Sequence, residues 1–428
     1  MKQLGIIEYL ASTDISNVQS SLVPPRLRTQ IVEYMSELGN KSLTSFSSVK
    51  WKQFAKDYGA EFGLSMDHHD WEMRLGGRTT PSYPLPPTFL KHLIAHALCW
   101  IDVYGRISAN EVRLRLLEPF LVPIIALFQG RVIDQPEELM EGRKHSTGGR
   151  VEHEIILVGG VLFFVVELKA DIKRGKDPIY ADHVAQLFLE LLSAAEHNRS
   201  LDLDGLQIHG LLSDFSMFFF YTYDPTTKCF YRNERIAIAP YPRTQMCQDL
   251  VQVCNKIFGV ILTAYIEGLE ALAKKSRKRA ARGNFSNESS SPFMTNDNNS
   301  GSDPQDSGTR KSRDMAIHFA KLCQQTLGTG IGDIGEIEQN GAKALAYLKK
   351  SVSSIKRESD EGNLYKTELD IMTEKDRFDL ADKSVCTQYE LIRQMQEHRK
   401  SFDRSMKDYE SGPSNAHKRG RQEFESSK

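Results

Sequence analysis

Arg150-Val151-Glu152-His153-Glu154-Ile155-Ile156-Leu157-Val158-Gly159-Gly160-Val161-Leu162-Phe163-Phe164-Val165-Val166-Glu167-Leu168-Lys169 is the most apolar run of the chain, yet it carries acids at one end and Glu-x-Lys at the other. Two β-rich segments flank Gly159-Gly160. That is a hairpin signal, because glycine supplies the positive φ of a tight two-residue turn. With these glycines as the turn, Glu152 falls opposite Glu167, Glu154 opposite Val165 and Arg150 opposite Lys169. Opposed residues share a face, and alternate residues return to it. Glu152, Glu154, Glu167 and Lys169 therefore project together near the open end of the hairpin. Like charges directly opposed destabilise a sheet, and a bound cation is the simplest offset. A divalent ion between two carboxylates, with a lysine beside it, suits metal-assisted attack of water on a phosphodiester. The plainer alternative is a solvent-facing strand end with scattered charges, since Glu-x-Lys by itself is common.

The chain around this hairpin has 428 residues, of which 40% are hydrophobic. That length suffices for about two to three domains with a substantial core. A formal net charge of -1 carries no global signal for nucleic acid or membrane, so any electrostatic footprint must be local. Six cysteines are scattered without a CxxC pair, which suggests a reducing compartment without a zinc module or disulfide framework. The first residues contain no long apolar segment of a secretory signal, and no apolar run approaches the ~20 residues of a spanning helix. The stretch from Phe120 to Phe128 is short and interrupted by Pro123. These features predict a soluble intracellular protein with no membrane partner.

Residues 1–95 form the expected helical N-terminal region, with partial periodicity over Leu27 to Leu38 and Val49 to Tyr58 and breaks at Pro24-Pro25 and Pro81 to Pro87. Asp67-His68-His69-Asp70 is better explained as a polar loop than as a ligand set, because adjacent side chains point in different directions. His92 and His96 stand four apart but lack a general-base glutamate between them, so a packed helix from Thr88 to Trp100 is the better reading. A helix opens near Ser108 to Glu111, and Pro119 is expected to start a second helical piece. Gln129 to Gly149 is a looser stretch that leads into the hairpin. After Lys169, Lys173, Arg174 and Lys176 lie in a loop and could hold phosphates, although a solvated loop is the more ordinary explanation of such a run. The next helix runs over Asp182 to His197, capped by Asp182, with Gln186 and Glu190 four apart off its apolar stripe. Strands follow at Leu206 to Ser213, Phe215 to Tyr223 and Cys229 to Ile238. The aromatic run from Met217 to Tyr221 marks a doubly buried strand rather than a base-stacking surface. A long helix from 246 to 282 ends in a dense basic run, which reads as a nuclear import signal, a nucleic-acid patch or a solvated helix end. Residues 283–311 are a Ser/Asn/Asp/Gly-rich linker, 312–410 a charge-rich helical C-terminal region, and 411–428 a disordered basic tail.

The order of these parts resembles the PD-(D/E)xK phosphodiesterase superfamily, with its restriction-endonuclease-like fold, and in particular its divergent fungal and crinkler-type members. Gly149-Arg150-Val151-Glu152, Glu167-Leu168-Lys169 and Ala185-Gln186 match the family's three short motifs, and Glu111 matches the acid of its first helix. The resemblance covers about residues 105–225. It implies an α+β or α/β core over residues 96–245, in the order α-β-β-β-α-β, with a mixed sheet flanked by helices. It also implies a nuclease that uses Mg²⁺ or Mn²⁺. Glu111, Glu152 and Glu167 would hold the metal, and Glu152, Glu167, Lys169 and Gln186 would carry the chemistry. Lys173, Arg174 and Lys176 would grip nucleic acid, with DNA ahead of RNA and a nuclear location ahead of a cytoplasmic one. Two departures stand out. The family's usual Asp is replaced by Glu152, and its Pro by Val151. A catalytically inactive nuclease-fold module binding nucleic acid or protein is the first rival reading. A structural protein that self-associates through its C-terminal helices is the second.

Overall fold

The computed structural model describes residues 43–66, 72, 75–104, 110–142, 144–169, 172, 178–203, 205–239, 241–285, 304–328, 332–355 and 375–411; at 110–114, 178, 279–285, 304–310, 375–381 and 406–411 only the backbone path is described. Leu27 to Leu38 and Asp67 to Asp70 lie outside these residues, as do the loop cations Lys173, Arg174 and Lys176.

The hairpin forms. Strands β3 (Gly148–Leu157) and β4 (Val161–Leu168) run antiparallel. The turn is longer than expected, however. Val158, Gly159 and Gly160 all lie between the paired residues Leu157 and Val161, and both glycines hold positive φ, 94° and 76°. Ile155 then pairs with Phe164 while Ile156 pairs with Leu162, so Phe163 is an extra residue on β4. This bulge cancels the longer turn and restores the expected register, with Glu154 opposite Val165.

The described residues form a seven-stranded sheet in the order β1-β7-β6-β5-β4-β3-β2. The other strands are β1 (Gly76–Gly77), β2 (Val132–Glu141), β5 (Ile208–Ser213), β6 (Met217–Asp224) and β7 (Cys229–Ala237). β4 and β5 are parallel, as are β1 and β7, and the remaining pairs are antiparallel. β2 falls in the stretch expected to be loose. Its sequence hides it, because it is an edge strand with exposed Gln135, Glu137 and Glu138 and with Pro136 in its middle. Charge and proline are what an edge tolerates and a central strand does not. β1 likewise lies in a segment expected to be helical, and consists of two glycines beside β7.

Helices cover both faces. α1 (Trp51–Phe62) and α4 (Pro178–Ser200) pack on one face through Trp51, Phe54, Val184 and Phe188, against Val165, Ile208 and Tyr221. Gly210 lets α4 come close, since a Cβ there would sit 3.1 Å from Leu187. The other face, with Phe164, Val166, Leu211 and Phe220, shares one core with α2 (Pro87–Tyr104), α3 (Asn110–Ala126) and α5 (Arg243–Phe285). β6 is buried on both faces, as its aromatic run predicts. α3 continues through Pro119 and Pro123 without a second start. α2 crosses the boundary expected at residue 95, and α5 crosses the one expected at 245. α5 is long and apolar enough to cross a membrane by length and composition, but 83% of its most apolar window is buried in the fold.

α6 (Pro304–Leu327) starts within the stretch expected to be a linker. With α7 (Ile334–Ser353) and α8 (Lys375–Ser411) it contributes Ala320, Leu348, Val385 and Tyr389 to the same core. The helical C-terminal region therefore does not stand apart from the sheet. Its apolar stripes are narrow because each helix buries only one side.

α4 begins at Pro178, ahead of the expected cap Asp182. Proline suits a first helical position because its fixed φ is already helical. Asp182 instead caps another helix. Its Oδ1 accepts the Trp51 backbone N–H at 2.8 Å, and its Oδ2 pairs with Lys50 at 3.1 Å. The residue preceding α1, Lys50, makes no side-chain cap of its own. Asp182→Ala should therefore lower the stability of the fold by about 1–2 kcal/mol. Lys50→Ala removes only an exposed ion pair and should cost less than about 0.5 kcal/mol. Urea unfolding of both variants checks this, and equal losses would refute the capping role.

Candidate functional site

β4 is buried along its whole length. Strand alternation turns Val165 and Glu167 toward α4 and Val166 and Leu168 toward the opposite core. A carboxylate is therefore delivered into the α4 interface, where Glu167 is 2% exposed. An ionised group in that position needs partners. Lys169, two residues on, donates through Nζ to Glu167 Oε1. Gln186 Nε2, from α4, donates to the same oxygen at 2.6 Å, and Gln186 Oε1 accepts from Lys169 Nζ at 2.9 Å. One helical turn further along α4, Glu190 Oε1 accepts from Gln186 Nε2 at 3.0 Å. Glu167, Lys169, Gln186 and Glu190 thus form one closed cluster between β4 and α4.

Glu152 joins from β3. The paired residues of β3 and β4 end at His153 and Val166. Beyond that point the Leu168 backbone N–H donates to the Glu152 carboxylate. Glu152 is therefore brought to the Glu-x-Lys end of β4, but the expected pairs Glu152–Glu167 and Arg150–Lys169 do not form. The ladder stops one residue short, the Glu152 carboxylate sits on a main-chain amide, and the Lys169 backbone N–H donates to Ser213 of β5. Glu154 stands apart. It is buried, and Glu138 of the edge strand is the neighbouring charge that acts on it. Glu111 lies in the first turn of α3, and its side chain is outside the described residues.

The electrostatics follow from burial. Burial raises the Glu167 carboxyl, and Lys169, Glu190 and Gln186 pull it back only in part. Burial also pushes Glu190 well above the carboxylate range, and the Glu167 charge adds to it. Both carboxyls are thus pushed toward the protonated form, and Gln186 is the neighbour that links them. Glu152 is pushed up to about 8, by burial first and then by Glu167. Burial alone would lower Lys169, but Glu167, Glu190 and Glu152 outweigh it and keep the ammonium above its usual value.

Glu167 Oε2 and Glu190 Oε2 are buried and accept no hydrogen bond as the heavy atoms stand. Two such oxygens suit a hard divalent cation, which takes oxygen ligands and keeps several waters. Among the described residues, no group of three or more His, Cys, Asp or Glu side chains is arranged to hold a metal. Of the expected ligands, Glu152 and Glu167 are near enough to act on each other's charge, and Glu190, which was not expected, is the further described acid beside them.

Two members of the site escaped the sequence reading. Glu190 was recognisable only as a polar residue four positions from Gln186. Asp214 follows β5, and its carboxylate accepts the backbone N–H groups of Ile172, Ser216 and Met217 at 3.0, 2.9 and 2.9 Å. It anchors the chain just after Lys169, and nothing in its local sequence announces that. A separate cleft of about 420 Å³ lies toward the far end of α4, lined by Lys144, His145, Glu196, Arg199 and Lys228 among others, and does not include the acid–lysine cluster.

Gln186→Leu removes the amide that serves Lys169, Glu167 and Glu190 at once and should destabilise the protein by about 1–3 kcal/mol. Glu190→Gln keeps an acceptor for Gln186 and removes a carboxyl that burial and Glu167 disfavour as a charge, so it should cost less. Denaturant unfolding that ranks the two variants the other way would overturn this account of the cluster. A carboxyl raised in the folded state makes its full contribution below its unfolded value of 4.5, and that contribution is lost as the pH passes its folded value. Metal-free protein should therefore lose stability as the pH rises toward about 8. Glu152→Gln should flatten that decline in pH-dependent thermal unfolding, and an unchanged profile would show that Glu152 is not the titrating group.

No protein-family model, curated protein or solved structure matches this chain, so the cluster's chemistry rests on its geometry.

Proposed function

We propose that the chain is a metal-dependent nuclease-like phosphodiesterase, with its site at the Glu-x-Lys end of β4. One observation carries this reading. A buried carboxylate, an ammonium and an amide meet at the end of a central strand, with a second strand's carboxylate beside them. The element order α3-β2-β3-β4-α4-β5 supports it, because it is the order of the restriction-endonuclease-like core.

Glu167 and Glu152, with Glu190 at hand, are the residues that would hold Mg²⁺ or Mn²⁺. When bound, the ion would supply a Lewis acid and lower the pKa of a coordinated water. Lys169 is held protonated by its acid neighbours. Its role is therefore to stabilise the negative charge that develops on the phosphoryl oxygens rather than to act as a base. Gln186 fixes the Lys169 ammonium and the Glu167 carboxylate at once, and so sets the distance between the anionic and cationic halves of the site. Glu152 holds the Leu168 amide and thereby the strand end. Lys173, Arg174 and Lys176 would contact the nucleic-acid backbone, with DNA ahead of RNA as substrate.

The rival is a catalytically inactive module of the same fold that binds nucleic acid or protein. Its support is the closure of the cluster, in which Lys169 and Glu167 satisfy each other and the Glu152 carboxylate is occupied by Leu168.

Incubation of DNA and RNA with the full chain and Mg²⁺ or Mn²⁺ should give cleavage that chelator abolishes. Glu167→Ala and Lys169→Ala should each lower the rate at least about 100-fold. Equal cleavage by wild type and variants would reject the assignment, and binding without cleavage would select the rival.

A further inference from the structure

α8 is 37 residues long, and among its described side chains burial stops at Tyr389. Val385 and Tyr389 are 0% and 1% exposed, whereas Leu391, Met395 and Phe402 are 41%, 70% and 64% exposed. From Glu390 to Ser405 no described residue is buried. The exposed segment, Glu390 to Ser405, extends about 24 Å at 1.5 Å per residue.

The sequence of this segment is not that of a solvated rod. Val385, Gln388, Ile392, Met395, Arg399 and Phe402 follow one another at alternating steps of three and four, and Met406 and Tyr409 continue the series. This is a heptad seam. Its first two positions are the ones that α8 buries against the core, since Val385 and Gln388 are 0% and 2% exposed. The same stripe then continues into solvent. An isolated helix of this length is marginal in water, and packing of an apolar stripe is what stabilises such helices.

We propose that the exposed segment of α8 is a self-association surface, and that a second copy of this chain covers it as an antiparallel two-helix coil. Charge balance favours a second copy over a charged partner. Residues 390 to 411 carry five Lys or Arg and five Asp or Glu, so two copies meet without net repulsion. Arg399 sets the direction. In a parallel pair, Arg399 would face itself across the seam. An antiparallel overlap centred between Lys400 and Ser401 sets Arg399 against Phe402 of the second copy, where a guanidinium can lie on an aromatic face. It also keeps the two folded bodies at opposite ends of the coil.

Sedimentation velocity and light scattering of the full chain over a concentration series should show a dimer. Met395→Glu combined with Phe402→Glu should raise the dimer Kd roughly 100-fold, a tenfold change for each seam position lost, while far-UV circular dichroism of the folded body is kept. Arg399→Leu removes the contact with Phe402 of the second copy and should weaken the antiparallel dimer about tenfold, whereas it would tighten a parallel pair. A monomer at every concentration overturns the proposal. So does a dimer that the double substitution leaves intact, or one that Arg399→Leu tightens.

Discussion

The burial of Glu167 is the constraint around which the centre of this fold is arranged. β4 offers water no face, yet its seventh residue is an acid. The desolvation of an unpaired carboxylate in such a place would cost several kcal/mol, so α4 must arrive with Gln186 in register and Lys169 must fold back from the strand end. That requirement fixes the height of α4 over the sheet, which the bare Cα of Gly210 makes possible. It also fixes the end of the β3–β4 ladder, where a side-chain carboxylate takes the amide of Leu168. The resulting cluster is polar, closed and enclosed by aliphatic and aromatic side chains, a setting in which hydrogen bonds to charge are strong and unpaired groups are costly.

Much of this was legible in the sequence, for identifiable reasons. The hairpin, its register at the acidic end and the alternation that brings Glu167 and Lys169 to one face all follow from period-two geometry. The turn and the bulge at Phe163 did not, because their errors cancel: one extra residue in the turn and one extra on β4 leave the far register unchanged. β2 was illegible because edge strands are built to avoid a strand signature, with Pro136 and acids where a central strand has Val and Ile. Gln186 was marked by its motif, but the role of Glu190 depends on a neighbour in another element, which spacing alone does not reveal. The role of Asp214 depends on a loop that meets it across the sheet.

The two faces of the sheet are loaded unequally. Among the described helices, α1 and α4 form the layer on the side of the acid cluster, while α2, α3 and α5 to α8 crowd the other. The thicker layer supplies most of the apolar burial. The charge-rich C-terminal helices belong to the thicker layer, where Tyr389 of α8 donates to the Leu85 carbonyl at 2.5 Å. A helix that looks polar on average can still contribute a single buried edge.

Asp182 makes the two helices of this face depend on each other. Its bond to the Trp51 amide spans 131 residues of chain, so the first turn of α1 has this side-chain acceptor only where α4 is packed beside it. A change that shifts α4 would therefore disturb the start of α1 and the aromatic contacts of Trp51 and Phe54 with Phe188 together.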